Sequence, residues 1–173
     1  CPTRLSSYLI VCQPLARHSE RKHAKLFTSG RKASGMDPTA HHFAITVSNL
    51  DRAVAFYRDT LGLEVLSEFA VGGDAFATGV GIDGANAEFV HLDAGDARVE
   101  LVEYDPKGEA VAGTELNQPG ATHLGLEVDD LDSVYEELPD GAETIAEPQT
   151  TESGTRILFV RDPDGTLVEL LER

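Results

Sequence analysis

Two histidines and two glutamates occupy matching places in the sequence. His42 is the second residue of the stretch HHFAITVSNLD, and His123 is the second residue of the similar stretch THLGLEVDDLD, 81 residues later. Side chains of a strand point alternately to opposite faces. In both stretches the apolar alternation assigns the histidine to the face that a helix does not cover. The same argument places Glu100 of ARVELVEY and Glu169 of TLVELLE on that face.

These four residues form a donor set that suits a divalent metal. A carboxylate among apolar neighbours in a cleft is costly unless it is paired or metal-bound. Two imidazoles and two carboxylates balance the charge of Ni, Zn, Co, Mn or Fe, and nitrogen and oxygen ligands suit these ions. Four ligands also leave two octahedral positions open, which is typical of a catalytic site. The sequence therefore predicts metal ligands at His42, Glu100, His123 and Glu169.

A structural interpretation competes for each residue taken singly. A strand histidine is more often a hydrogen-bonded structural residue, and a strand glutamate is usually solvated. Their recurrence at equivalent places in two repeats favours the metal site. His41 is predicted to point to the opposite face, and Thr122 stands in its place in the second repeat, so His41 is not expected to be a ligand. His91 is expected near Glu100, in a surface or supporting role.

The repeat extends beyond the histidines to whole elements. The alternation predicts a strand over 41–47, followed by a helix that Ser48 caps and Gly62 ends. The second copy predicts a strand over 121–128 and a helix that Asp129 caps. The same offset of 81 residues relates the strands, the caps and the helices of the two copies, which indicates two modules with the same fold.

Further strands complete each module. They are expected over 63–69, 87–93 and 97–104, and then near 143–146, 156–161 and 166–172. Residues 70–86, rich in Gly and Ala, are expected to form a loop or a short helix. The fold class is therefore α+β, with two βαβββ modules, about 40–104 and 121–173, whose curved mixed sheets enclose a metal cleft.

Charge divides the chain into two parts. Residues 1–35 carry seven basic residues and one acid, which leaves seven basic and 29 acidic residues, a net charge of −22, for 36–173. Such a body repels nucleic acid and anionic lipid, and its scarcity of lysine favours a salt-loving cell over an ordinary acidic cytosolic protein. No apolar run approaches the ~20 residues of a membrane span. Both cysteines, Cys1 and Cys12, lie outside the body, which fits a reducing cytoplasm.

The first 35 residues are predicted to be a basic, disordered and dispensable tail outside the fold. A transit peptide and a nucleic-acid arm are alternatives. The composition changes abruptly at Met36, the sole methionine, which favours upstream sequence preceding a natural start. The folded domain is therefore expected to span 36–173.

Four segments together resemble the vicinal oxygen chelate superfamily, which includes glyoxalase I. They are HHFAITVSNLDRAVAFYRDTLGLEV, ARVELVEY, THLGLEVDDLD and FVRDPDGTLVELLE. The resemblance implies that the family's metal ligands fall on His42, Glu100, His123 and Glu169. It also implies a small-molecule substrate and a homodimer, although the modules of one site pair within one chain in some members and across two chains in others.

The activity implied is that of a glyoxalase I-like lyase acting on a thiol hemithioacetal. In that chemistry the metal holds the vicinal oxygens of the substrate and a carboxylate moves the proton. Glu169 is the expected base, and Glu100 is the other candidate. A methylmalonyl-CoA epimerase-like enzyme is an alternative, and a metal-free small-molecule binding or resistance protein is another. The complete ligand set argues against the binding protein, and Glu100 and the small size argue against ring-cleaving dioxygenases.

Overall fold

Two four-stranded sheets form the framework of the protein. The computed structural model describes residues 39–111 and 115–173, so the predicted tail and its boundary at Met36 lie outside the described residues. The strands are β1 Phe43–Thr46, β2 Val65–Gly72, β3 Asn86–Ala94, β4 Ala97–Asp105, β5 Leu124–Glu127, β6 Gln149–Thr150, β7 Arg156–Arg161 and β8 Leu167–Glu172. The helices are α1 Leu50–Ala55, which continues into a π-helical turn Phe56–Thr60, α2 Asp74–Val80 and α3 Leu131–Glu137.

The two sheets have the same topology. Their strand orders are β1-β4-β3-β2 and β5-β8-β7-β6. In each sheet the first strand pairs in parallel with the last, and the other pairings are antiparallel. The second module is a plain βαβββ unit, and the first adds α2 to it. This arrangement confirms the predicted α+β class and the mixed sheets.

One hydrophobic core joins the helix sides of both modules. The predicted alternation in the first strand is confirmed, because Ile45 and Val47 are buried and Phe43 packs against the same core. From the second module, Leu131 of α3 and Val168 of β8 are fully buried in that core. The opposite face of each sheet, here named the cleft face, carries Glu100 in the first sheet and Glu169 in the second, since these residues alternate with core residues. Among the described residues, no helix is long and apolar enough to cross a membrane.

The helix caps lie one residue later than predicted. Asn49 caps α1, its side chain accepting a hydrogen bond from the Arg52 N–H at 2.8 Å. Asp130 caps α3 in the same way. The predictions of Ser48 and Asp129 are wrong because an N-cap side chain must reach a backbone N–H two or three residues ahead. Both helices begin one residue too late for that.

Two segments differ from the predicted strands. The predicted strand over 143–146 is reduced to a single bridge between Thr144 and Val160. Pro148, which has no N–H to donate to a ladder, follows it, and pairing resumes in β6. Residues 70–86, for which the sequence predicts either a loop or a short helix, contain α2. Gly73 precedes this helix and Gly81 follows it, with φ values of 91° and 71°. Glycine adopts such values without strain.

Candidate metal centre

The strand register produces two matched His–Glu pairs. Across the parallel pairing of β1 and β4, Ala44 lies opposite Glu100. Across the pairing of β5 and β8, Gly125 lies opposite Glu169. Each of these partners stands two residues after a histidine, His42 or His123. Both histidines stand just before the regular strand, and each nevertheless lies within 3.5 Å of its glutamate, so each histidine and its glutamate lie on the same side.

The distances within the two pairs are similar. His42 Nε2 lies 3.5 Å from Glu100 Oε1, and His123 Nε2 lies 3.2 Å from Glu169 Oε2. The imidazoles are 36% and 40% exposed, whereas the carboxylates are 12% and 21% exposed. We name the pair in the first sheet the first half-site and the pair in the second sheet the second half-site. In each half-site the imidazole is therefore more exposed to solvent than the carboxylate.

Each half-site supplies half of the predicted ligand set. An imidazole nitrogen and a carboxylate oxygen on one face are donors that fit a divalent ion such as Ni, Zn, Co, Mn or Fe. Within residues 39–111 and 115–173 of one copy, however, no three His, Cys, Asp or Glu side chains are arranged to hold a metal ion. Each half-site thus brings two suitable donors together, and the four-ligand site stays a prediction.

His91 distinguishes the first half-site from the second. Its Nε2 lies 2.7 Å from Glu100 Oε2, and its side chain is only 12% exposed, so it is not a surface residue. The antiparallel register pairs His91 with Glu100, and the equivalent partner of Glu169 in β7 is Phe159. Phe159 packs edge-on against the ring of His123 at 5.5 Å. A hydrogen-bonding group thus supports one carboxylate, and an apolar ring lies beside the other.

His41 lies beside the first half-site rather than on the opposite face. Its Nδ1 is 2.8 Å from Nδ1 of His42, and the two ring centroids are 5.0 Å apart. The predicted orientation is wrong because the regular ladder begins only at Phe43, and alternation does not hold before it. Arg98 Nη1 lies 3.4 Å from His41 Nε2, which places a cation at the rim of this half-site.

An aromatic wall continues the cleft face of the first sheet. Phe69 stacks on Phe89 with centroids 5.0 Å apart, and Phe69 meets the edge of His91 at 5.1 Å. Phe76 of α2 packs against Phe89 and Tyr104, each at 6.2 Å. Sequence reasoning missed this wall, because its residues come from β2, β3, β4 and a helix that lacked a clear periodic pattern. The site beside Glu100 is therefore apolar on one side.

The comparison with known families identifies the class of protein. Residues 39–170 match the family model described as the Glyoxalase/Bleomycin resistance protein/Dioxygenase superfamily. The chain belongs to that superfamily, which confirms the resemblance drawn from the four segments.

Individual relatives include more than one kind of enzyme. The chain is 30% identical over 133 residues to a probable lactoylglutathione lyase of Synechocystis, covering 76% of this chain and 92% of that protein. It is 31% identical over 137 residues to an ethylmalonyl-CoA/methylmalonyl-CoA epimerase of Cereibacter sphaeroides, covering 75% and 94%. A glyoxalase family protein from Bacillus cereus has the same fold, with a TM-score of 0.72 at 24% identity, over 81% of this chain and 97% of that one.

Proposed function

We propose that this protein is a metal-dependent lyase of the glyoxalase I type, which acts on the hemithioacetal of an α-oxoaldehyde and a thiol. The observation that supports this most directly is the pair of half-sites, each with one imidazole and one carboxylate at the same place in its sheet. The similarity to the probable lactoylglutathione lyase of Synechocystis supports the same assignment.

The four residues that would hold the metal are His42, Glu100, His123 and Glu169. A divalent ion bound there supplies a Lewis acid that stabilises negative charge developing on the vicinal oxygens of the substrate. The two carboxylates offset the charge of the ion. The aromatic wall beside Glu100 keeps water away from that side of the substrate, which strengthens electrostatic interactions at the site.

Glu169 is the proposed base. It lies beside the ring of Phe159, and its polar partner among the described residues is His123. Glu100 is also held by His91 and is less free to leave its position. Glu169 takes the proton from the carbon that bears sulfur and returns it to the neighbouring carbon. The product is a 2-hydroxyacyl thioester, and no external oxidant or reductant is needed.

The proposal includes a second copy of the chain. Each sheet offers two donors, and a first half-site that faces the second half-site of another copy would complete a set of four. A symmetric dimer would contain two such sites. Mixing His42→Ala with His123→Ala chains tests this arrangement, because a mixed dimer regains one intact site. Equal mixing should restore about a quarter of the wild-type activity, whereas a site within one chain restores none.

An epimerase of acyl-CoA thioesters is the second candidate, supported by the relative from Cereibacter sphaeroides. Its substrates carry several phosphates. In the described part of the chain, Arg98 lies near His41, and the other six cationic side chains already contact carboxylates, namely Arg52, Arg58, Lys107, Arg156, Arg161 and Arg173. Their charge is largely offset, which favours the hemithioacetal over a polyanionic thioester.

Turnover in deuterated solvent separates the two candidates. The metal-loaded protein is incubated with hemithioacetals of several thiols and, separately, with methylmalonyl-CoA. Thioester formation from a hemithioacetal supports the lyase, and deuterium exchange at the α-carbon of methylmalonyl-CoA supports the epimerase. Inertness to both, together with tight binding of a small molecule, would overturn both in favour of a binding protein.

A further inference from the structure

We propose that Ser48, Arg52 and Tyr57 of the first module and the turn Asp162–Gly165 of the second form a clasp that fixes the spacing between the two half-sites. We name these residues the inter-module clasp. The proposal rests on the proposed function, since it assigns positioning residues to that site. None of the clasp residues belongs to the ligand set or to the aromatic wall.

The centre of the clasp is a buried hydrogen bond between the modules. Tyr57 Oη donates to Asp162 Oδ2 at 3.1 Å. Tyr57 is 0% exposed, and Asp162, at 4% exposed, is the one charged residue that is buried among the described residues. The other carboxylate oxygen accepts the backbone N–H groups of Asp164 and Thr166 at 2.9 and 2.8 Å. Burial raises the pKa of the Tyr57 hydroxyl, which therefore remains a donor.

A second set of contacts joins the modules at the surface. Asp164 Oδ2 accepts the backbone N–H of Ser48 at 2.8 Å, and Oδ1 accepts the Ser48 hydroxyl at 2.5 Å. Arg52 Nη2 donates to Asp164 Oδ1 at 2.7 Å. Lys107 Nζ donates to the carbonyl oxygen of Ser48 at 2.7 Å. Ser48 is thus held from its own module and from the other one.

The clasp lies between the strands that carry the two half-sites. Ser48 stands two residues after the end of β1, and His42 stands one residue before its start. The turn over 162–165 ends two residues before Leu167, the first residue of β8, which carries Glu169. A hydrogen-bonded strand transmits position along its length because its ladder fixes each residue. A displacement of Ser48 relative to Asp164 therefore displaces one half-site relative to the other.

The sequence repeat does not duplicate the clasp. The counterpart of Tyr57 in the second module is Leu138, which has no hydroxyl. Asp162 stands three residues after Phe159, and the residue three positions after the equivalent His91 is Ala94, which has no side-chain acceptor. The polar contact thus occurs once per chain, and it costs the burial of a carboxylate. This asymmetry argues for a role beyond the packing that both modules share.

A fixed spacing is required if two copies complete each other's sites. In a symmetric dimer both sites close together only when the halves of each chain are held at one distance. If the distance between the two half-sites of a chain varied, one metal site of the dimer could close while the other stayed open. The clasp is the polar connection, among the described contacts, that sets this distance.

Tyr57→Phe and Ser48→Ala test the clasp, with Ser48→Thr as the conservative variant and Arg156→Gln as the matched control. Tyr57→Phe keeps the ring and removes only the hydroxyl. Ser48 is exposed, so its variants should fold. Arg156 makes a comparable ion-pair network with Asp132 and Glu172, but entirely within the second module.

Two measurements are made on the full-length protein. The first is the Co(II) dissociation constant together with kcat of the Co(II)-loaded enzyme. We expect Tyr57→Phe and Ser48→Ala to lower kcat about tenfold or more, because small displacements of reacting groups slow a reaction strongly. The second is the distance distribution between spin labels at Asp96→Cys and Glu152→Cys, in chains with Cys1→Ser and Cys12→Ser, diluted with unlabelled chains. We expect this distribution to broaden in both variants, and Ser48→Thr and Arg156→Gln to resemble the wild type.

The outcomes separate the clasp from the proposed function. Unchanged distance distributions in Tyr57→Phe and Ser48→Ala overturn the clasp, whatever the activity. Broadened distributions with a kcat and a Co(II) affinity no different from those of Arg156→Gln overturn its positioning role. A wild-type protein that binds no Co(II) overturns the proposed function and, with it, the positioning role, whereas broadening in the variants would still support the clasp as the element that sets the spacing.

Discussion

At the scale of single residues, the two half-sites share a backbone arrangement and differ in the residue that pairs with the glutamate. His91 stands opposite Glu100, and Phe159 stands opposite Glu169. A hydrogen bond from an imidazole fixes the orientation of a ligating carboxylate, whereas an apolar ring leaves it free to exchange a proton. The two glutamates are therefore expected to have different roles despite their matched positions.

Replacing His91 by Phe would give the first half-site the neighbour that the second one has. We expect a dissociation constant for Co(II) that is about 10- to 100-fold higher, because partners that orient a ligand typically contribute that much. Calorimetric titration of the apo-protein measures it. Phe159→Leu is the control and should leave the affinity nearly unchanged. An unaltered affinity in His91→Phe would mean that the hydrogen bond to Glu100 does not support metal binding.

Replacing Glu169 by Gln should remove the base. We expect kcat for the hemithioacetal to fall about 10²- to 10⁴-fold, the usual contribution of a positioned general base. Glu127→Gln, on the neighbouring strand β5 and paired with Arg173, is the control. If instead Glu100→Gln lost the proton transfer and Glu169→Gln kept it, the two carboxylates would have the opposite roles. Solvent-deuterium exchange in single-turnover experiments measures the transfer directly.

At the scale of elements, both helices that cover the sheets begin in the same way. Asn49 and Asp130 cap them through their side chains. In addition, Glu103 accepts the backbone N–H of Leu50 at 2.7 Å, and Glu172 accepts that of Leu131 at 2.9 Å. Each last strand thus carries one glutamate for the cleft face and another, three residues later, for the helix start. The repeat preserves helix position as well as site position.

Asn49→Ala should destabilise the protein through loss of the α1 cap. The expected decrease in the free energy of unfolding is about 1 kcal/mol, the typical value for an N-cap replaced by alanine. Urea denaturation measures it. Asp51→Ala removes the residue that a capping box starting at Ser48 would need, and its effect should stay within about 0.5 kcal/mol. A larger loss of stability in Asp51→Ala than in Asn49→Ala would instead support the predicted capping box that starts at Ser48.

The faces of strands could be predicted from the sequence, and most contacts between elements could not. Burial on one side imposes a period of two, which assigned Ile45 and Glu100 to their faces correctly. The pairing of His91 with Glu100 was within reach, because a tight turn at Gly95 fixes the hairpin register. The hydrogen bond of Tyr57 with Asp162 joins residues 105 positions apart, and no local pattern encodes it. Helix α2 could not be distinguished from a loop, because its Gly- and Ala-rich sequence has little amphipathic signal.

At the scale of the whole molecule, charge and the contact between modules govern stability together. The net charge of −22 on residues 36–173 is self-repulsive at low ionic strength. Carboxylates that accept several hydrogen bonds offset part of this cost. Asp164 is the clearest example, since it accepts bonds from Ser48 and Arg52 across the modules.

Asp164→Asn should change the pH dependence of stability. Burial by itself would raise the pKa of Asp164, but the hydrogen bonds from Ser48 and Arg52 outweigh it and hold the pKa below the ordinary value of 3.8. A carboxyl with a lowered folded pKa stabilises the protein fully above its unfolded pKa, and this contribution is lost as the pH falls through the folded pKa.

The free energy of unfolding of wild type and Asp164→Asn should therefore differ most near neutral pH and converge below about pH 4. Denaturant titrations at a series of pH values measure the difference. Asp162, whose pKa burial raises, is present in both proteins, so its opposite pH dependence largely cancels. A difference that stayed constant down to about pH 3 would show that Asp164 does not stabilise the fold through its charge.

The metal content of purified protein tests the central proposal most directly. Wild type, His42→Ala, His123→Ala and His41→Ala are each loaded with Ni, Co, Zn or Mn, dialysed and analysed for bound metal per chain. We expect one ion per chain in the wild type and in His41→Ala, and a loss of most of it in His42→Ala and His123→Ala. Absence of bound metal in the wild type, or equal metal content in all four proteins, would contradict a centre built from the two half-sites.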